Sequence, residues 1–274
     1  MSALDDDALA ALGHLNYVEF SRELTRQGGA AGVLREEGGL LLHASPSPFP
    51  VMFNGVWRLD PRVPGADVIT RADSFFGTID RGYSIAVRDD VAEDADLVVA
   101  AEAASLVAVL HSPEMVCRHR LDDRPLPPRT TLQWVNDHRT FADFVAVSDQ
   151  AYSSVGLPVG TVTAAITDAE QVMVPHVHAV VAYLDDQAVA AAQVMLSHSI
   201  AGVYWVGTTE AARGSGLGEA VTRAVTNRAF ADGARAVTLQ ASPMGAPIYL
   251  RMGYEEIYDY STFVRFEPIA APSK

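Results

Sequence analysis

Cysteine is almost absent from this 274-residue chain: Cys117 stands alone. An internal disulfide is thereby excluded, and so is a cysteine-rich zinc site. No uninterrupted apolar run reaches membrane-spanning length, so no transmembrane helix is expected. Met1–Asp7 holds three aspartates and no basic stretch, which does not fit a secretory leader. A cytoplasmic protein is the expectation. Positive charge is also scarce, with 20 Lys and Arg against 34 Asp and Glu, for a formal net charge of −14. No Lys/Arg cluster offers a face to nucleic acid, and neither a nucleic-acid nor a membrane partner is expected. An acidic surface suits a cationic or amine-bearing substrate, and it equally suits plain solubility. No Gly-Lys-Ser/Thr triplet is present, so a P-loop is excluded.

What the chain does have is apolar material, at 49% of residues, enough for one large domain or two ordinary ones. Leu9, Leu12, Leu15, Val18 and Phe20 recur at helical spacing and predict a helix from Asp5 to about Arg26, stopped by Gly28-Gly29. A hairpin follows at 31–35 and 39–43, then a proline-rich loop, Ser45–Pro50. Val51–Leu59 reads as a strand broken by Gly55 at a bulge. A helix over 63–79, a strand over 83–87, a helix over 92–105 and two strands, 106–110 and 115–119, complete the first half. In Leu121–Pro128, Pro125, Pro127 and Pro128 can continue neither helix nor central strand, and the boundary between two units, 1–127 and 128–274, is placed there. The second half reads as strand 131–135, helices 138–154 and 158–170, hairpin 177–184/187–197 turning at Asp185-Asp186, strand 203–209, helix 216–231, strand 236–241, a short helix 247–252 closed by Gly253, and a last strand from Glu256. A mixed sheet covered by helices is the expected α/β architecture.

The most informative stretch joins the apolar strand Val203–Val206 to the helix over 216–231. Arg213, Gly214, Ser215, Gly216, Leu217, Gly218 and Glu219 span the junction. The first N–H groups of a helix lack intrahelical partners and sit at the positive end of its dipole, and glycines let an anion reach the backbone. Phosphate or pyrophosphate binding is therefore expected there. A dinucleotide fingerprint fails, because Glu219 stands where the third glycine belongs and no carboxylate occurs in Val237-Thr238-Leu239 further on. Arg213, Gly216 and Gly218 instead fill Arg-x-x-Gly-x-Gly. Downstream come Leu239-Gln240-Ala241-Ser242 and Pro247-Ile248-Tyr249-Leu250-Arg251-Met252-Gly253-Tyr254. With these two motifs in this order, the chain resembles the GCN5-related N-acetyltransferase (GNAT) family over 130–266.

The resemblance implies two GNAT-like units, each a mixed, largely antiparallel sheet flanked by helices, and acetyl-coenzyme A as co-substrate without a metal. The coenzyme A pyrophosphate is expected on the N–H groups of Gly214 to Glu219, with Arg213 adding charge. The strand Val206-Gly207-Thr208 is expected to splay from its neighbour, to pair with the pantetheine arm and to supply an N–H to the thioester oxygen. Tyr249 matches the residue that protonates the departing thiolate in many relatives. Ser242 stands where relatives often carry an asparagine that touches coenzyme A. No carboxylate occurs in 201–209, where relatives often place a general base. His176, His178 and His198 have suitable chemistry but fit loop or edge positions, and the base stays unassigned. The first half repeats the outline of the second, but the segment matching the glycine loop reads Asp60-Pro61-Arg62-Val63-Pro64-Gly65-Ala66-Asp67. Pro61 and Pro64 lack N–H donors, so a non-catalytic half that shapes the acceptor pocket is expected, with Phe53, Asn54 and Trp57 either lining that pocket or buried in core. Transfer of acetyl to a primary amine is the expected activity. A non-catalytic acyl-coenzyme A-binding protein and transfer of a longer acyl chain remain alternatives.

Overall fold

A computed structural model describes residues 4–267; the outer ends of the two expected units, 1–3 and 268–274, lie outside the described residues. Asp5 accepts a hydrogen bond from Ala8 N at 2.9 Å and starts α1 (Asp6–Gln27). The first half continues with β1 (Val33–Glu37), β2 (Leu40–Ala44), β3 (Asn54–Arg58), α2 (Gly65–Thr78), β4 (Tyr83–Arg88), α3 (Ala95–Ala103) and β5 (Val107–Cys117). Leu121–Pro128 carries neither helix nor strand. Beyond it come β6 (Thr130–Trp134), α4 (His138–Ser153), α5 (Thr161–Ala165), α6 (Ala169–Val172), β7 (Val177–Leu184), β8 (Gln187–Ser197) and β9 (Ile200–Thr208). The chain ends with α7 (Leu217–Ala231), β10 (Val237–Gln240), α8 (Ala246–Met252) and β11 (Glu255–Arg265).

The eleven strands of the described residues form one sheet, in the order β1-β2-β3-β4-β11-β5-β10-β9-β8-β7-β6. Only β3–β4 and β9–β10 pair in parallel, and the other neighbours are antiparallel. Each half thus contributes one strand–helix–strand crossover, and two GNAT-like halves share a mixed, largely antiparallel sheet flanked by helices. The seam is interlocked. The last strand, β11, lies between β4 and β5 of the first half, and β5 pairs on its other side with β10 of the second. Helix α1 crosses this seam: Leu9 packs with Val116, Ile200 and Ala236, while Phe20 stacks on Tyr204 with ring centroids 3.5 Å apart. α7 and α8 cover the opposite face of the second half, over Val180, Val194, Val203 and Val237.

Several expected elements differ from those observed. The two strands expected at 106–110 and 115–119 are one, because Pro113 needs no donor there and its carbonyl accepts from Ala241 N at 2.9 Å. The helix expected over 158–170 is split into α5 and α6. The N–H groups of Thr167 and Asp168 both turn to Gln27 O at 2.9 Å, and the Asp168 carboxylate caps α6. Gly55 forms no bulge. It pairs in register with His43, and a Cβ there would stand 2.7 Å from His43 Nε2. Close packing is its reason.

Candidate active site

The site begins where β9 and β10 part. They pair only at Ala201↔Val237 and Gly202↔Thr238, whereas β9 stays paired with β8 as far as Thr208↔Ala190. Between Tyr204↔Gln193 and Gly207↔Ala191 the register shifts, so Trp205 and Val206 oppose Ala192 alone. Trp205 is a buried aromatic with φ of 56°, a left-handed conformation that costs about 1–3 kcal/mol and is found where a site demands it. This bulge takes the backbone of Trp205 and Val206 out of the β8 ladder just where β10 has diverged. The sheet is forked, and Val206, Gly207 and Thr208 form one tine. Gly207 lets α4 close on that tine, since a Cβ would lie 2.7 Å from Ala151 Cβ.

At the end of β9 a short 3-10 turn, Glu210–Ala212, leads into the glycine loop. Gly214 and Gly216 have φ of 76° and 80°, and nothing lies within 4 Å of a Cβ built at Gly214. Gly216 caps α7 without any side-chain hydrogen bond. The helix start is thus open to an external acceptor, anchored beneath by the buried Leu217. Ser215 Oγ bonds Ala212 O and tightens the loop. Gly218 faces Thr208, whose Oγ1 would be 3.4 Å from a Cβ. Beside Gly216 lies a cavity of about 480 Å³, closed on its far side by Asp123–Pro128.

Three of the expected side chains are engaged elsewhere. Arg213 reaches the end of α4, with Nη2 bonded to Ser154 Oγ and near Ala151 O. Glu219 accepts from Arg124 at 3.0 Å and from Arg223 at 2.7 Å, so its charge in the first turn of α7 is balanced by two guanidiniums. Ser242 Oγ accepts from Gly245 N at 3.1 Å and helps start α8. Tyr249 of α8 is buried, tilts against Tyr254 at 5.9 Å and meets the Thr222 hydroxyl of α7. Burial pushes its hydroxyl up to about 12, with Thr222 pulling weakly the other way, so it holds its proton at neutral pH.

The three histidines lie apart from the glycine loop. His176 faces the buried Glu23 at 3.3 Å, His178 pairs with Asp232 just past the last residue of α7 at 2.9 Å, and His198 occupies the turn before β9. Of the first-half candidates, Phe53 is buried beside Trp205, Asn54 Nδ2 donates to Ser47 O and Phe49 O, and Trp57 Nε1 donates to Ser21 Oγ at 2.8 Å. They hold the core and the proline loop.

The first half has its own fork, with β3 and β4 paired only at Gly55↔Ser84. The start of α2, however, is filled by protein. Gly65 N donates to Asp96 Oδ2 at 2.6 Å, and a Cβ at Gly65 would lie 2.6 Å from Asp96 O. An internal carboxylate occupies the position that an anion would take.

One group went unnoticed in the sequence. Glu114 of β5 faces Gln240 across β10, two residues beyond the last β9–β10 pair and level with Tyr204. It is fully buried; Gln240 Nε2 donates to Oε2 at 2.5 Å, and Oε1 has no partner. Burial pushes its carboxyl up to about 7, against the pull of the Gln240 hydrogen bond. Nearby on the α1 side of the sheet, both amide atoms of Gln193 and Thr238 Oγ1 are also buried and unpartnered, an unusual concentration beside the fork. The available signal was a lone carboxylate directly before the apolar run Met115-Val116-Cys117.

Residues 149–265 match the model of the acetyltransferase (GNAT) domain family, a span running from α4 to the end of β11. No curated protein shows a significant sequence match. Among solved structures, a GCN5-related N-acetyltransferase from Kribbella flavida is 20% identical with a TM-score of 0.68, covering 92% of this chain and 96% of that one. Another GCN5-related N-acetyltransferase, from Sphaerobacter thermophilus, is 15% identical with a TM-score of 0.61, over 86% and 79%. A tandem GNAT protein from the clavulanic acid biosynthesis pathway is 14% identical with a TM-score of 0.59, over 100% and 98%. At such identities the likeness is one of fold, and it extends along the whole chain. The second half thus carries the match to the GNAT acetyltransferase domain, and the chain as a whole shares the fold of these GNAT structures.

Proposed function

We propose that the protein is an N-acetyltransferase that moves acetyl from acetyl-coenzyme A to a primary amine by direct attack on the thioester. The observation that carries this reading is the fork at β9/β10, whose free tine leads into an uncapped glycine start of α7. An amide-bearing pantetheine arm fits the free edge as an added strand, and its pyrophosphate fits the N–H groups from Gly214 to Glu219. The backbone freed by the bulge at Trp205–Val206 is placed to donate to the thioester oxygen as negative charge develops there. The amine nitrogen then forms a bond to the carbonyl carbon, the C–S bond breaks, Tyr249, still protonated at neutral pH, supplies a proton to sulfur, and the proton that nitrogen loses as the amide forms restores the Tyr249 hydroxyl. Arg213 adds positive charge beside the loop from its seat on α4. Thr208 and Leu217 support the loop from either side, and Ser242 shapes the start of α8 more than it reaches the cofactor. The first half binds no coenzyme A in this reading, since Asp96 fills the corresponding helix start.

Gly216→Asp tests the cradle, because it places a side chain and a negative charge where the phosphate belongs. Acetyl-coenzyme A binding, measured by calorimetry, is expected to vanish; retained affinity would mean that the pyrophosphate lies elsewhere. Thiol release over a panel of amines tests the activity. Tight cofactor binding with no turnover on any amine would favour a non-catalytic acyl-coenzyme A-binding protein, and turnover only with longer acyl thioesters would revise the acyl group.

A further inference from the structure

The acetyltransferase reading leaves one proton without an acceptor. A protonated amine and a thioester give an amide, a thiol and one proton for solvent, and no carboxylate lies on β9 to receive it. The seam between the halves supplies one. Glu114 reaches the level of the fork from β5, on the face covered by α1. Its free Oε1 points at Gly13 of α1. A Cβ built at Gly13 would stand 3.1 Å from Glu114 Oε1 and 3.5 Å from the Tyr258 hydroxyl, so the missing side chain leaves these two groups facing one small gap. From there hydroxyls lead outward. Tyr258 and Tyr260 share a hydrogen bond at 3.3 Å, and the Tyr260 hydroxyl lies 2.9 Å from Nδ1 of His14, which is half-buried on α1. The other contact of Tyr258, with the Ala10 carbonyl, is at 3.5 Å and weak.

We propose that Glu114, contributed by the first half, is the base for the reaction of the second half, and that Tyr258, Tyr260 and His14 relay the proton from it to solvent. The inference rests on the acetyltransferase reading. In the step itself an N–H bond of the ammonium breaks, the electron pair stays on nitrogen for attack, and an O–H bond forms on Glu114. With a water in the gap beside Gly13 bridging Oε1 to the Tyr258 hydroxyl, the relay then returns Glu114 to its carboxylate, each member giving up one proton as it receives another.

The groups facing Glu114 are compatible with this role. Tyr17 from α1 is partly buried and Tyr204 from β9 buried, both hydroxyls are pushed up and stay neutral, and Gln240 and Thr238 from β10 are uncharged. The charge that acts on Glu114, Arg88 of β4, stacks over Tyr258 at 4.3 Å and is paired with Asp90. Burial and Arg88 hold His14 down to about 4, so it serves as a neutral shuttle whose ring can accept on one nitrogen and donate from the other.

The test is kcat/KM against pH, with any amine the wild type acetylates, for Glu114→Gln, Gly13→Ala and His14→Ala. Glu114→Gln is expected to lose about 100-fold or more at neutral pH. It should also lose the rise in rate as pH increases through about 7, while acetyl-coenzyme A affinity is kept. Gly13→Ala suits a helix interior and should fold, yet its methyl enters the gap and should slow turnover. His14→Ala should slow turnover, with recovery on adding imidazole. A Glu114→Gln protein with wild-type rate and pH profile would overturn the inference and leave the acetyltransferase reading standing. If His14→Ala neither slows turnover nor responds to imidazole, the relay is wrong. A wild-type protein that acetylates no amine removes the underlying reading, and this inference with it.

Discussion

In the proposed mechanism Tyr249 serves the chemistry and Gly216, 33 positions earlier, the binding. Tyr249→Phe keeps the ring packed against Tyr254 and removes only the hydroxyl. Turnover is expected to fall about 100-fold with little change in acetyl-coenzyme A affinity, and an unchanged kcat would remove Tyr249 from the acid role. Two histidines, the half-buried His14 and the buried His43, set the acid response of stability. Burial, aided by Arg88 for His14 and by Arg22 for His43, holds them down to about 4 and about 3 against 6.5 when free. Their folded values are lowered, so the stability they lend is present above pH 6.5 and is lost as pH falls through 4 to 3. Glu114, raised to about 7 from 4.5, acts in the opposite sense, since its folded form holds a proton that the unfolded chain releases between 4.5 and 7. Two groups outweigh one. Denaturant midpoints are therefore expected to fall between pH 6.5 and 4, and to fall more steeply in Glu114→Gln; a midpoint that rises on acidification contradicts these shifts. Gly216 and Tyr249 were legible in the sequence because motif spacing marks them. Glu114 was not, because its significance comes from Gln240, a partner 126 positions away.

Among the elements, α1 and β9 show how a strand-level fork is fixed by a helix from the other half. Asn16 Nδ2 donates to Met195 O at 3.2 Å and to Ser197 Oγ at 2.8 Å, and its Oδ1 accepts from the Tyr204 hydroxyl at 2.7 Å. Gly202, the last β9 residue paired with β10, has no room for a side chain: a Cβ would lie 2.1 Å from Asn16 Oδ1 and 2.5 Å from the Tyr204 hydroxyl. Gly202→Ala is expected to destabilise the fold by about 1–3 kcal/mol in denaturant titration and to lower activity by moving α1 off the fork. Wild-type stability and rate in this variant would show that α1 does not set the fork. Element type was largely readable from periodicity and turn residues, as in the hairpin that turns on Asp185 and Asp186, with φ of 48° and 63°. Where the sequence reading failed, a distant partner had intervened: Ala241 N at Pro113 O joined two short strands into β5, and Gln27 O split α5 from α6.

At the scale of the molecule, the connection at Leu121–Pro128 marks a change in sequence more than a division in the sheet. β11 is bound on both edges by first-half strands, and β5 joins β11 to β10. Calorimetry is expected to give a single cooperative unfolding transition. A chain ended after Gly253 should lose both halves together, because the edges of β4 and β5 are then exposed. Two separate transitions, or a stable first half without β11, would show that the halves fold independently.

By itself, the sequence determined the α/β class, the two-half outline and the glycine start of α7, and marked Tyr249 as a candidate. Those features are local: they depend on periodicity, on backbone freedom at Gly214 and Gly216, and on short spacings along the chain. Only the tertiary structure decided that the sheet is continuous, that Asp96 fills the first half's helix start, and that Glu114, Tyr258, Tyr260 and His14 meet beneath α1. The physical reason is strand exchange at the seam. Hydrogen bonding between strands far apart in sequence, together with burial from water, gives Glu114 its raised carboxyl and its unpartnered oxygen, and neither property belongs to any segment read alone.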